Sequence, residues 1–278
     1  MPQLPDWLEQ LRNIEIIQRV KDDPRSASGQ YLGVSRSVAT REAAGWGQAD
    51  FDKPWNHLSP DDRVLLYAYF LQLGHLEELI RAFGMLFARG LPSEQPIVID
   101  LGCGPFTGGL AFTNALGSER QFDYIGVDRS VAMRRLGERL AAAAEQFKTG
   151  IQISRHWSSG ISSISWNQPP SWRPVFVIVS YLLASPTVNV NELLNDLMQL
   201  LTKLGQGPVT ILYTNSQQPE ANKQFPDFAR ILSNAGFSEI EDDIGGIRVE
   251  RMSGPRGRKF RYALFHRSAQ NTLTLGDG

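Results

Sequence analysis

Near the start of the chain, Leu4, Trp7, Leu8, Leu11, Ile14, Ile17 and Val20 recur at helical spacing, which predicts an opening amphipathic helix. From Asp22 to Pro54 apolar positions thin out and Ser, Gly and Arg become common. Residues 26–47 therefore read as a loop-rich segment, a candidate flap carrying Tyr31, Arg36, Arg41 and Trp46. Ser59-Pro60-Asp61-Asp62 has the form of a helix start: a capping hydroxyl, proline at the first helical position, and acids at the positive end of the dipole. The apolar series Val64, Leu65, Tyr67, Phe70, Leu71, Leu76, Leu79, Ile80 and Phe83 extends that helix to about Ala88, with a bend expected at Gly74.

After a linker bracketed by Pro92 and Pro96 the pattern changes. Short apolar runs predict strands at 97–101, 124–128, 151–154, 175–180 and 209–213. Between them lie amphipathic stretches that predict helices at 107–117, 130–147, 190–204 and 220–235, with Gly205 and Gly236 at the positions of left-handed caps. This alternation predicts an α/β, doubly wound, mainly parallel sheet covered on both faces. Ile247–Arg251, a Ser-Gly-Pro-Arg-Gly turn and Phe260–His266 read as an antiparallel hairpin. The chain thus divides into an N-terminal helical and loop region (1–94), an α/β domain (95–267) and a small, polar tail (268–278).

Composition narrows the classes. With 278 residues, 42% of them hydrophobic, the chain can bury one large core and a smaller accessory region. No apolar run approaches the roughly 20 residues that span a bilayer, and the opening is not a basic segment leading into an apolar one. The expectation is a cytoplasmic protein with no membrane partner. The lone cysteine, Cys103, excludes internal disulfides, and His57, His75 and His266 are too scattered to suggest a metal site. A net charge of −1 provides no global field for nucleic acid.

The chemistry concentrates at two strand tips. Ile97-Val98-Ile99-Asp100-Leu101-Gly102-Cys103-Gly104-Pro105-Phe106 is a buried run ending in an acid and a glycine turn, and Tyr124-Ile125-Gly126-Val127-Asp128 repeats the design. Adjacent strands ending in carboxylates suit a nucleoside. A pyrophosphate-binding turn would carry a third glycine where Thr107 stands, and Asp100 would repel its charge. A cationic nucleoside such as S-adenosylmethionine, with a sulfonium and an ammonium, fits better, another nucleotide being the competing reading. Asp128 is placed to accept from both ribose hydroxyls.

Asp100-Leu101-Gly102-Cys103-Gly104-Pro105 and Val127-Asp128-Arg129-Ser130-Val131-Ala132-Met133 resemble the first two motifs of class I S-adenosylmethionine-dependent methyltransferases, over roughly residues 95–267. The resemblance implies a seven-stranded sheet closed by the antiparallel hairpin, and cofactor contacts at Asp100, Gly102, Gly104 and Asp128. Cys103 and Arg129 fall within the same two turns and belong to the candidate cofactor set. The resemblance also implies that the N-terminal helices cover the carboxyl edge of the sheet and select substrate. One departure stands out: Phe106 occupies a place where such proteins often have glycine, so its side chain either points away from the methionine moiety or tightens the pocket.

Methyl transfer asks a protein mainly for alignment, worth up to roughly 7–11 kcal/mol, with a base where the acceptor must lose a proton. The tip of the fourth strand, Val179-Ser180-Tyr181-Leu182, faces the methyl in such a fold and makes Ser180 and Tyr181 the acceptor-side candidates. It lacks the Asn/Asp-Pro-Pro-aromatic motif of amino-methylating nucleic-acid enzymes. After the third strand, Trp157 is a candidate to stack on the adenine and His156 to reach the pocket. Arg248, Arg251, Arg256, Arg258, Lys259 and Arg261 crowd the C-terminal hairpin, either as a phosphate-binding face for RNA or as a solvated turn paired with Glu239, Glu241, Asp242 and Asp243. Two functions follow: a methyltransferase acting on RNA or a small molecule, or an inactive cofactor-binding module serving a protein or RNA complex.

Overall fold

The computed structural model describes residues 4–90, 92, 95–117, 120–249 and 258–269. The opening helix is less regular than its apolar spacing suggests: α1 (Asp6–Arg12) passes through a π-helical turn, Asn13–Gln18, into α2 (Arg19–Lys21). The loop-rich segment holds more structure than its composition implies. β1 (Gln30–Tyr31) and β2 (Val34–Ser35) pair antiparallel, and α3 (Arg36–Val38) leads into a second π-helical turn, Ala39–Ala43. Leu32, Val34, Ala39 and Ala43 give this segment a small core of its own with Val20, Leu58 and Leu66.

The predicted start at Ser59 is a reciprocal cap, with Asp62 N donating to Ser59 Oγ (3.1 Å) and Ser59 N to Asp62 Oδ2 (2.9 Å). The expected single helix is two: α4 (Pro60–Phe70) and α5 (Gln72–Phe87). The break falls at Leu71, where φ is −112°, and not at Gly74. Beside it, the buried Gln72 side chain donates to Pro105 O (3.0 Å) and accepts from Arg12 (2.7 Å). Tertiary hydrogen bonds thus decide the kink.

Then β3 (Ile97–Leu101), α6 (Thr107–Leu116), β4 (Gln121–Val127), α7 (Val131–Phe147), β5 (Gln152–Ser158), β6 (Val175–Ser180), α8 (Val190–Leu204), β7 (Val209–Ser216), α9 (Phe225–Asn234), β8 (Ser238–Val249) and β9 (Arg258–Arg267) follow in order. They build one seven-stranded sheet, order β5-β4-β3-β6-β7-β9-β8. The first five of these are parallel, and β9 joins β7 and β8 antiparallel. The expected doubly wound sheet and closing hairpin are both present. β8 starts earlier than predicted, at Ser238, and carries register shifts after Glu239 and Asp243. Arg251 and Arg256 of the basic turn, like the tail from residue 270, lie outside the described residues.

Two cores sandwich the sheet. On one face Leu8, Leu11, Val64, Leu79 and Phe83 pack with α6, α7 and Tyr124, so the N-terminal helices share the α/β layer's own core. On the other, Leu194, Leu197 and Leu201 of α8 and Phe228 of α9 cover Ile99, Val177 and Ile211. No helix among the described residues is long and apolar enough to cross a membrane.

The stretch leading to α4 is tied down by buried Arg63, which donates to Ala43 O (2.8 Å), Asp50 O (2.7 Å) and Lys53 O. Removing the guanidinium leaves three carbonyls without this donor. Arg63→Met is therefore expected to lower the unfolding free energy by about 3 kcal/mol, measured by urea titration.

Candidate functional site

A cleft of about 420 Å³ opens at the carboxyl ends of β3, β4 and β6, where the strand order reverses. Its floor is the turn after β3, and three amides of that turn fasten it to β4. Gly102 N and Cys103 N donate to Val127 O (2.8 and 3.0 Å), and Gly104 N donates to Asp128 Oδ2 (3.0 Å). A Cβ at Gly104 would project into open space with φ at +51°, so glycine here keeps both the left-handed turn and the room above it.

Asp128 lines the cleft and also accepts from Ser130 N (2.8 Å). Burial raises its pKa above the ordinary carboxylate value, against the opposing pull of the Ser130 and Gly104 amides. Each Asp128 oxygen thus takes one amide and keeps a second acceptor direction for a ligand. Asp100 behaves differently. It is buried beneath the turn, accepts from Tyr124 Oη (2.8 Å) and meets the Gly108 and Gly109 amides at the start of α6. Burial pushes its pKa up to about 7. The two acids are neighbours, but only Asp128 faces the cleft.

Gly102, Gly104, Asp128, Arg129, Ser180 and Tyr181 converge on this cleft. Ser180 Oγ accepts from Thr214 Oγ1 (2.9 Å) and so keeps its own proton to donate. Tyr181 holds left-handed backbone (φ 59°) and packs its ring on His75 of α5, 4.1 Å between centroids. Cys103 is buried in the core beneath the turn, where burial raises its pKa well above that of a free thiol and keeps it protonated.

His156 and Trp157 sit inside β5, which runs beyond its predicted end, and neither lines the cleft. The Trp157 ring lies 5.3 Å from Tyr124, and its Nε1 donates to Glu138 of α7. Phe106 also turns away from the cleft. It takes left-handed backbone (φ 64°), is fully buried, and packs 4.7 Å from Tyr124 and against Gly109, where a Cβ would collide with its ring at 1.9 Å.

Several lining residues carry no motif. Glu192 and Asp196, one turn apart on α8, bring two more carboxylates to the wall, so three acids and one arginine line the cleft. Their i, i+4 spacing is visible in the sequence, although nothing there ties it to the strand tips. Gln48, Phe51 and Tyr67 close the opposite side. Burial, then the charges of Asp128 and Asp100, hold the Tyr67 phenol neutral. Tyr31, Arg36, Arg41 and Trp46 are not in the lining. Tyr31 packs against Tyr69 and Phe70 instead. Of the hairpin's basic residues, Arg261 pairs with Asp242 at 2.6 Å. Among the described residues no cluster of three or more His, Cys, Asp or Glu side chains could hold a metal ion.

No protein-family model and no curated protein matches the chain. The chain is similar, at low identity and TM-scores below 0.5, to solved structures of S-adenosylmethionine-dependent methyltransferases. The plantazolicin methyltransferase BpumL, in complex with a pentazolic desmethylPZN analogue and SAH, is 13% identical over 84% of this chain and 97% of its own, with a TM-score of 0.46. A Leishmania major methyltransferase is 11% identical over 83% and 91%, TM-score 0.45. A TehB-like methyltransferase from Corynebacterium glutamicum is 13% identical over 70% and 88%, TM-score 0.41. Likeness at this distance concerns the fold; the site must speak through its own residues.

Two outcomes follow from the buried groups. Phe106→Gly relieves a left-handed backbone costing about 1 kcal/mol but forfeits roughly 3–5 kcal/mol of core packing, so a net loss of about 3 kcal/mol is expected in thermal or urea unfolding. Asp100 binds its proton more tightly folded than unfolded, so folding takes up a proton between pH 3.8 and about 7, and stability falls as pH rises through that window. Asp100→Asn is expected to flatten that decline in urea titrations repeated at each pH.

Proposed function

We propose that this chain is an S-adenosylmethionine-dependent methyltransferase that passes a methyl group in line to an acceptor held at the tip of β6. The observation that supports it most is the Asp128 carboxylate, held at the cleft wall by Gly104 N and Ser130 N with acceptor directions to spare. A carboxylate so placed takes the two hydroxyls of a ribose, while the open space over Gly104 admits the ligand backbone closely. Three carboxylates against one guanidinium favour a sulfonium and an ammonium over a pyrophosphate.

When bound, the cofactor supplies a methyl group already activated by positive sulfur. The chain's part is alignment and exclusion of water. Phe51, Tyr67, Leu182 and Leu193 provide the apolar walls, and Ser180 and Tyr181 orient the acceptor's nucleophilic atom toward the methyl. The Arg261–Asp242 pair favours a small molecule over RNA, since that cation is already matched. The turn of Phe106 into the core leaves the methionine end of the cleft unobstructed, which favours turnover over a silent binding module.

Calorimetric titration with S-adenosylmethionine and S-adenosylhomocysteine tests the reading. Saturable binding to the wild type is expected, with Asp128→Asn weakening it about 100-fold, the value of one hydrogen bond to a charged acceptor, because the amide keeps one acceptor oxygen. Tritiated-methyl transfer to RNA, protein and metabolite fractions then identifies the acceptor class, with label expected among metabolites. A wild-type chain that ignores both nucleosides at millimolar concentration ends the proposal.

A further inference from the structure

One wall of the cleft belongs to a segment more than 50 residues before the glycine turn in sequence. Gly47, Gln48 and Phe51 line it, and Phe51 is buried edge-on to Tyr67, 5.7 Å between centroids. At the near end of this segment Gly45, Trp46 and Gly47 all have positive φ (51°, 54° and 93°), a left-handed run that the tryptophan adopts at a steric cost. Trp46 is 63% exposed, so no burial of its ring compensates that cost.

At the far end, Asp52 reaches across to the first turn of α7. Its Oδ1 accepts from Ser130 Oγ (2.9 Å) and Ala132 N (3.1 Å), and its Oδ2 from Val131 N (3.1 Å). Partial burial works against its charge, yet the Ala132 and Val131 amides and the Ser130 hydroxyl outweigh it and hold Asp52 below the usual carboxylate range. Ser130 is gripped twice: its hydroxyl by Asp52, its backbone amide by Asp128 Oδ1 (2.8 Å). The same hydroxyl caps α7 by accepting from Met133 N (3.2 Å).

We propose that residues 45–53 are a lid over the nucleoside, and that Asp52 is a positioning residue whose docking on α7 both shuts the lid and orients Asp128 through Ser130. The inference rests on the cofactor reading above and deepens it. With Asp52 docked, Phe51 and Gln48 are held against the cleft and Ser130 fixes the direction of the ribose acceptor. With Asp52 released, the left-handed Gly45–Gly47 run is the hinge that absorbs the backbone change, and the nucleoside is free to leave. Release of ligand is therefore governed by the Asp52 contact together with the Arg63 hydrogen bonds to Asp50 O and Lys53 O, and the lid and the ribose site act as one unit.

The test compares wild type, Asp52→Asn and Asp52→Ala with S-adenosylhomocysteine as probe, using stopped-flow dissociation and hydrogen–deuterium exchange. Arg230→Ala serves as the control, because Arg230 pairs with exposed Asp227 on α9 (3.0 Å) and belongs neither to residues 45–53 nor to the cleft lining. Dissociation is expected to quicken about 10-fold in Asp52→Asn and more in Asp52→Ala, with association changed less than about 3-fold. In the ligand complex, residues 45–53 and the Val131 and Ala132 amides should exchange faster in both variants than in wild type. A purely structural cap would lower the melting temperature and leave the dissociation rate alone. Wild-type release rates in both Asp52 variants, with binding still lost in Asp128→Asn, would overturn the lid while leaving the cofactor reading standing. Absence of binding to the wild type would remove both.

Discussion

Three successive amides donating to the end of β4 are the contact on which the rest of this site depends. Gly102 and Cys103 share the Val127 carbonyl and Gly104 takes the Asp128 carboxylate, so the turn after β3 cannot move independently of the next strand's tip. That docking requires left-handed backbone at Gly102 and Gly104, and it carries the chain into α6 through Phe106, again left-handed. The aromatic tolerates this backbone because its ring fills the space between Tyr124 and the Cβ-less face of Gly109. A side chain that reads as an obstruction in the sequence is thus packed into the core beside the turn, away from the cleft.

The same docking divides labour between two acids that look equivalent as text. Asp100 lies below the turn, surrounded by the Tyr124 hydroxyl and the α6 amides, and its raised pKa shows that burial outweighs these partners. Asp128 lies at the surface of the turn and spends half its acceptor capacity on the loop, leaving the rest directed at the cleft. Ionised Asp100 is a cost that the fold carries near neutral pH. Its value is to fix Tyr124, and through Tyr124 the seat of Phe106.

The strand-tip arrangement was legible because it depends on local chemistry: apolar runs, an acid and a glycine turn. What escaped reading depends on partners distant in sequence. β5 continues past Ser154 through Arg155, His156, Trp157 and Ser158 because it pairs with β4 alone, and an edge strand needs apolar side chains on one face only. Trp157 then points toward α7 and not toward the cleft. β8 is likewise an edge strand, rich in acids and broken by register shifts, so its first half carried no strand pattern. The α4–α5 break at Leu71 is set by Gln72 reaching Pro105 and Arg12, which no propensity at Gly74 encodes. Gln48, Phe51 and Asp52 belong to a stretch without periodicity, and only its contacts with Tyr67 and α7 give it a role.

These long-range contacts bear on how the N-terminal region acts. A cap that merely sat on a finished domain would have a polar underside and a core of its own. Here only the small cluster around Leu32 and Leu66 is separate, whereas Leu8, Leu79 and Phe83 are continuous with Val98 and Tyr124 in the main core. Arg12 hydrogen-bonds Gln72, and Gln72 hydrogen-bonds Pro105 inside the glycine turn itself. The first helices therefore help to hold the glycine turn in place from behind, while Gln48, Phe51 and Tyr67 face it from the front. The side chains of α4 at this cleft are thus carried on a frame too deeply packed to move as a separate body, whereas residues 47–51 stand on a short segment outside its helices.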